Sequence, residues 1–388
     1  MIKRIAKLSV SHSFFILGPR GSGKSTLIRE RFLSNESLYI DLLDPAIEDR
    51  YRLNLNLLKQ ELEGNTQIKR VIIDEVQKLP RILDLVHQLI EAKKIQFILS
   101  GSSARKLKKG GANLLAGRAF MFYLYPLTHL ELGKKFNLKE ALEWGLLPQL
   151  LHLKTQTEKE EYLKAYTLTY LKEEIQVEQL IRKLKPFRQF LDIVAQMNGK
   201  LVNYSKIARD IGVDTLTVQN YYSILEDTLI GFYLKPYHRS IRKSQRQAPK
   251  FYLFDTGICR ALKGTLSIPL KEQSYDFGNA FEHFIILEII KFLEYSRKSW
   301  KISYLITKEG AEIDLILERP DKTTACIEIK SSEFVRKEDL RSLIKLGSDI
   351  PQSNLYCFSR EITRKKIDNV LCLHWQEGLK KIFNGDFN

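Results

Sequence analysis

Gly18-Pro19-Arg20-Gly21-Ser22-Gly23-Lys24-Ser25 is the stretch whose residue types and spacing specify chemistry most directly. It fits G-x-x-x-x-G-K-[ST], with the apolar run Phe14–Leu17 before it and a helix-prone run from Thr26 after it. Gly21 and Gly23 let the backbone curl until successive N–H groups point at phosphate oxygens. Lys24 supplies a point charge near the β- and γ-phosphates, and the Ser25 hydroxyl is placed to ligate Mg²⁺. A helix starting at about Lys24 adds its N-terminal dipole. The expected ligand is ATP with Mg²⁺, held by Gly18, Pro19, Arg20, Gly21, Ser22, Gly23, Lys24, Ser25 and Thr26. Arg70-Val71-Ile72-Ile73-Asp74-Glu75 is an apolar strand ending in paired acids. There Asp74 is expected in the Mg²⁺ hydration shell and Glu75 against the attacking water. Gln96–Ser100 runs into small polar residues, which makes Ser100 the natural γ-phosphate sensor, with a plain polar strand cap as the alternative.

A second constellation lies near the other end of the chain. In Glu312-Ile313-Asp314-Leu315 and Cys326-Ile327-Glu328-Ile329-Lys330, period-2 alternation predicts acids on one strand face and apolar residues on the other. Two carboxylates and a lysine suit metal-assisted phosphodiester cleavage. Asp314 and Glu328 would hold Mg²⁺ or Mn²⁺, Lys330 would steady the attacking water or the developing charge, and Glu282 on a preceding helix would complete the shell. Glu312 is the rival ligand. An alternating, half-exposed strand with incidental charges is the bland alternative.

These groups need elements to carry them. Short apolar runs alternate with helical stretches up to about residue 130, which predicts a parallel α/β sheet with strands near Ser13–Leu17, Ser37–Leu42, Lys69–Asp74, Ile95–Ser100 and Ala119–Tyr125. Residues 131–185 read as a helical connector. Residues 186–255 read as helix, short helix, glycine turn, second helix and a strand pair, the order of a winged helix-turn-helix. Thr217, Gln219 and Asn220 are then the candidate groove-facing residues. The connection between the strand pair carries Arg239, Arg242, Lys243 and Arg246 without an acid, suited to phosphate contacts. Residues 270–388 read as helix, three strands, helix and strand, an α/β unit around the acidic constellation.

Composition limits the function classes. The 388 residues carry 62 Lys and Arg against 46 Asp and Glu, a net charge of +16, which favours nucleic acid or an anionic surface as partner. No apolar run reaches the length of about 18 residues that crosses a bilayer, so an integral membrane protein is not expected. The basic start has no small-residue cleavage site, so a secretory signal is not expected either. Cys259, Cys326, Cys357 and Cys372 are too scattered for a disulfide framework or a zinc site. The cytoplasm is the expected compartment.

The wording of the chain resembles a known group. Gly101-Ser-Ser-Ala-Arg-Lys-Leu107, Leu115-Ala-Gly-Arg118, Tyr125-Pro-Leu127 and Phe251-Tyr-Leu-Phe-Asp-Thr-Gly257 are similar to prokaryotic AAA+ ATPases with a poorly characterised, restriction-endonuclease-like C-terminal domain. The resemblance covers nearly the whole chain. It implies an AAA+ P-loop domain over 1–130, and a homo-oligomer in which Arg118 reaches a neighbour's nucleotide. No second-sensor arginine stands out. The Asp314, Glu328 and Lys330 pattern resembles the PD-(D/E)xK nuclease superfamily, with Ile313 where that name has proline. What this implies is a nuclease-like domain over 270–388, acting on DNA that the winged helix holds.

Overall fold

The computed structural model describes residues 2–92, 95–103, 117–170, 184–238, 247–320 and 323–383. Five strands, β1 (Phe14–Leu17), β2 (Ser37–Asp41), β3 (Arg70–Asp74), β4 (Gln96–Gly101) and β5 (Phe120–Tyr123), form an all-parallel sheet in the order β2-β3-β4-β1-β5. Parallel sheets are buried on both faces, so their strands read as continuous apolar runs. Here Phe15, Leu17, Val71, Ile73, Phe97 and Leu99 face one core, while Phe14, Ile16, Ile72, Ile98 and Phe122 face the other. The strand positions agree with expectation to within a residue or two at each end. Because Ile73 pairs with Leu99, the next residues along, Asp74 and Ser100, finish side by side at the carboxyl edge.

A helical unit follows. Leu138–Trp144, Gln156–Ala165, Leu184–Gln196, Tyr204–Ile211, Thr215–Asp227 and Thr256–Lys263 share one apolar core. Tyr204–Ile211 and Thr215–Asp227 are joined by the expected glycine turn. Asn203 caps the first by accepting the Lys206 N–H at 2.9 Å, Gly212 ends it at φ 68°, and Asp214 caps the second. The strands β6 (Gly231–Pro236) and β7 (Lys250–Leu253) pair antiparallel, and Leu201 bridges to Lys250.

The strand pair expected from the sequence is present, and it is also joined to a larger sheet. Lys235 and Pro236 of β6 pair in parallel with Ser303 and Tyr304. The hairpin thereby becomes one end of an eight-stranded mixed sheet, β12-β13-β11-β10-β9-β8-β6-β7. Its other strands are β8 (Lys301–Ile306), β9 (Glu312–Glu318), β10 (Thr324–Lys330), β11 (Ser353–Ser359), β12 (Lys365–Ile367) and β13 (Val370–His374). The physical reason is edge satisfaction: part of the outer edge of β6 would otherwise leave backbone N–H and C=O groups unpaired. A second difference concerns the faces of β9 and β10. Both are apolar, since Leu315, Leu317, Ile327 and Ile329 join the core under the long helix Tyr275–Tyr295, while Ile316 and Cys326 join Leu343 of the helix Arg341–Gly347. On β10 Glu328 and Lys330 do alternate with Ala325, Ile327 and Ile329, but Cys326 shares their side and packs under a helix, so that side is not the polar face expected. All four cysteines are free and buried.

Phe251-Tyr-Leu-Phe-Asp-Thr-Gly257 proves to be a clamp. The buried Asp255 carboxylate accepts the N–H groups of Gly257 (2.9 Å) and Ile258 (3.1 Å), starting the helix Thr256–Lys263, and that of Leu146 (2.8 Å) from far upstream. Gly145 takes φ 83° against this carboxylate, and any Cβ there would collide with it. Asp255→Ala leaves three buried donors without acceptors and is expected to cost about 2–4 kcal/mol in urea unfolding. Asp255→Asn should recover the helix cap but lose the Leu146 tie, giving an intermediate value. Equal midpoints for all three proteins would show that the clamp contributes nothing.

Candidate nucleotide site and C-terminal acidic cluster

Gly21 (φ 75°) and Gly23 (φ 92°) make the loop curl in the left-handed region, as the motif requires. Gly18 is also obligatory, because a Cβ there would collide with the Leu124 carbonyl. The helix Lys24–Phe32 begins where expected. Lys24 is buried and turns its ammonium onto the carbonyls of Gly18 (2.8 Å) and Pro19 (3.2 Å), Ser25 is half-buried, and Thr26 is exposed. Two groups remote in sequence hold the loop. The Arg4 guanidinium donates to the Ser22 carbonyl (2.7 Å), and Tyr166 donates its hydroxyl to the Arg20 carbonyl (2.9 Å). Arg4 also donates to Glu131 (2.9 Å), to the Tyr125 carbonyl (2.6 Å) and to the Tyr295 hydroxyl (3.2 Å). It thus ties the loop to the end of the long C-terminal helix.

Asp74 is buried and accepts hydrogen bonds from the hydroxyls of Tyr39 (2.6 Å) and Ser100. Among the described residues no lysine or arginine forms an ion pair with it. This hard carboxylate, with the Ser25 hydroxyl on the neighbouring loop, is a donor set that fits Mg²⁺. Ser100 also accepts the Glu75 N–H at 3.2 Å, so its hydroxyl serves both acids. Glu75 stands at φ 57°, a left-handed conformation that costs a non-glycine residue about 1–3 kcal/mol and clusters at functional sites. The sequence reading missed Gln77, whose side-chain amide donates to the Glu75 carboxylate and to the Ser102 hydroxyl (3.0 Å). A polar residue two places after the acids was the available signal. Arg118 enters at the opposite end of the sheet, just before Phe120, which pairs with Phe14, and it pairs with Glu91 (2.8 Å). That places it at the other end of β1 from the glycine loop.

In the C-terminal sheet the expected residues do come close, but not as an open metal site. Asp314 accepts the Ile329 N–H (2.7 Å), and Lys330 donates to Glu328 (2.7 Å). Lys250 of β7 is buried among the acids, paired with Glu312 and 3.7 Å from Glu282, which also accepts the Tyr252 hydroxyl (2.7 Å). Burial, reinforced by the carboxylates of Glu328 and Glu282, pushes Asp314 well above the usual carboxylate range. Burial likewise raises Glu328, against the opposing pull of Lys330. His283 is pushed down to about 3 by burial, and its Nε2 bonds the Leu253 carbonyl at 2.6 Å. A cavity of about 270 Å³ opens here, lined by Lys250, Tyr252, Asn279, Glu282, Glu312 and Asp314. Among the described residues no three His, Cys, Asp or Glu side chains are arranged to hold a metal ion. Four carboxylates meet two lysines here, and Lys250 stands on Glu312 and beside Glu282, so as it stands the set is closed by its own contacts rather than open to a metal ion. Lys250 could not be foreseen, since it lies on a different strand from every acid it meets.

For the groove-facing candidates, Gln219 and Asn220 are exposed on the helix Thr215–Asp227. Thr217 is half-buried and spends its hydroxyl on Asp214 (2.6 Å), completing the cap. Arg239, Arg242, Lys243 and Arg246 lie outside the described residues. Among the described residues no helix is long and apolar enough to cross a membrane.

The strand order β2-β3-β4-β1-β5, with the glycine loop after β1 and paired acids after β3, defines a P-loop α/β domain of AAA+ type, followed by helices and a mixed sheet. Accordingly, residues 11–133 match a family described as "AAA domain". Residues 135–269 and 277–376 match two families each described as a domain of unknown function, DUF8612 and DUF4143. The chain is 26% identical over 365 residues to an uncharacterized protein of Mycobacterium tuberculosis, covering 92% of this chain and 80% of that one. It is 21% identical over 334 residues to an uncharacterized protein of Haemophilus influenzae, covering 79% and 80%. Among solved structures it is similar to the replication initiator DnaA bound to AMPPCP and single-stranded DNA. That match has 16% identity and a TM-score of 0.30, covering 56% of this chain and 83% of that one. Domain III of the Thermotoga maritima DnaA protein gives 17%, 0.23, 31% and 58%. Overlaps this slight carry no argument about function.

Proposed function

We propose that this chain is an ATP-hydrolysing AAA+ protein whose turnover is coupled to DNA held by a winged helix. The observation that carries this reading is the meeting of Lys24, Asp74 and Glu75 at one edge of a parallel sheet. The polyphosphate would lie in the curl of residues 18–25, with Lys24 turning from the Gly18 and Pro19 carbonyls to its oxygens. When bound, Mg²⁺ would be held by Ser25 and the hydration shell at Asp74, and would neutralise phosphate charge. Glu75 polarises water and takes its proton as the new O–P bond forms, and the bond from the γ-phosphorus to the bridging oxygen breaks to release ADP. Arg118, remote from its own loop, is positioned to serve the site of a neighbouring copy, so the working form is a homo-oligomer. Free buried thiols accord with a cytoplasmic setting.

The DNA half rests on the order of helices over 184–227 with the β6–β7 pair, on exposed Gln219 and Asn220, and on the net charge of +16. The pairing of Lys250 with Glu312, beside Glu282, favours a nuclease-like domain that does not cleave, and no cleavage step is drawn through it. Phosphate release should therefore rise with DNA, while the DNA itself stays intact in gels run after incubation with Mg²⁺ or Mn²⁺. Neutralising Arg242, Lys243 and Arg246 together should weaken binding and flatten the salt slope by about one unit per lost phosphate contact. Unchanged DNA affinity in that variant would place the DNA surface elsewhere. Cleavage that Asp314→Ala and Lys330→Ala both remove would establish a nuclease.

A further inference from the structure

We infer that Gln77 is a positioning residue for hydrolysis, whose side-chain amide sets the direction of the Glu75 carboxylate. This rests on the reading of Glu75 as the group that polarises water. Gln77 lies in the short turn Val76–Lys78 directly after β3, and the left-handed backbone of Glu75 brings the two side chains together. A carboxylate only accepts hydrogen bonds, so the atom facing Glu75 must be the amide nitrogen. The same nitrogen donates to the Ser102 hydroxyl at 3.0 Å, just beyond the end of β4. The amide is thus braced between the ends of two adjacent strands. Its oxygen is wedged on the other side against Gly101, where an added Cβ would stand 2.6 Å away.

Packing alone does not account for a glutamine here. Among the described residues its oxygen is buried without a hydrogen-bond partner, and an unsatisfied buried acceptor is costly. A methionine would fill the space with no such penalty. What methionine lacks is the donor that reaches Glu75. Nor would a cation serve as well. Among the described residues no lysine or arginine forms an ion pair with Glu75, and such a partner would favour the charged carboxylate and weaken it as a proton acceptor. A neutral amide fixes direction without placing a positive charge beside the carboxylate. Glu75 sits on a sharp turn at the sheet edge, so without this brace its carboxylate would sweep several rotamers, most of them misaligned with the phosphate.

The test is steady-state phosphate release and ATP binding by the full chain, with DNA present, for the parent and four variants. Gln77→Ala should lower kcat by about tenfold to a hundredfold, with KM and nucleotide affinity within about twofold of the parent. Gln77→Glu keeps the shape but removes the donor and sets like charges together, and should lose at least as much. Ser102→Ala, which frees one side of the amide, should lose less. The Gln77→Ala, Ser102→Ala double variant should be no worse than Gln77→Ala alone, because the two act through one group. A parent kcat retained by both Gln77 variants overturns the proposal. So does a loss of affinity that tracks a fall in melting midpoint, which would mark a structural residue. A parent protein that binds ATP but releases no phosphate overturns the hydrolysis reading itself, and this inference with it.

Discussion

Glu75→Gln is expected to lower ATP turnover by about 10²–10⁴-fold while leaving nucleotide bound. The amide keeps the size of the side chain and still reaches the phosphate edge, but it cannot take a proton from water. Binding should survive because Glu75 is not part of the loop: its own N–H bonds Ser100, and its carboxylate bonds Gln77. Lys24→Ala should behave oppositely. Lys24 is a buried cation of the loop, only 4% exposed, and in the proposed function its ammonium turns to the polyphosphate oxygens. Its removal should cost nucleotide affinity first, with turnover falling as a consequence. Equilibrium binding of a fluorescent ATP analogue, set beside phosphate release, separates the two variants. Phosphate release by the Glu75→Gln protein at the parent rate would remove Glu75 from the chemistry.

Arg118→Ala should reduce turnover by about 10³-fold or more with ATP affinity largely kept, because the arginine acts on another copy. Its position supports this. β5 runs parallel to β1, and Arg118 precedes the strand end that lies beside Phe14, whereas the loop follows the far end of β1. Its ion pair with Glu91 is worth only about 0–1 kcal/mol. Mixing Arg118→Ala with Glu75→Gln should restore part of the activity, since a composite site would contain one intact Glu75 and one intact Arg118. No recovery on mixing, or a strictly monomeric protein with full turnover, would rule out action between copies.

The local geometry of the proposed nucleotide site was legible in the sequence, whereas that of the C-terminal cluster was legible only in part. Gly21, Gly23, Lys24 and Ser25 act through backbone curvature and a helix start that neighbours in sequence dictate. Asp74 and Glu75 follow an apolar run whose burial on both faces also sets where the strand ends. Asp214 and Gly212 were equally readable, because capping is local. In the C-terminal sheet, spacing placed Asp314, Glu328 and Lys330 on paired strands, and they are there. The expectation of a polar face failed because alternation says which residues share a face but not what covers it, and the helices Tyr275–Tyr295 and Arg341–Gly347 cover both.

What the sequence by itself determined is therefore what depends on short range: the curl and helix start of the glycine loop, the acids after β3 and the helix caps. Tertiary structure alone decided which distant groups complete or block those sites. It brought Arg4 to the Ser22 carbonyl and to Tyr295, and Tyr166 to Arg20. It joined β6 to β8 and so delivered Lys250 into the acids, where spacing alone would have left room for a cation. The physical reason is that a periodic pattern encodes only how a segment faces a core. Partners far apart in the chain are chosen by strand order and edge pairing, and these are settled by burial and backbone hydrogen bonding over the whole molecule.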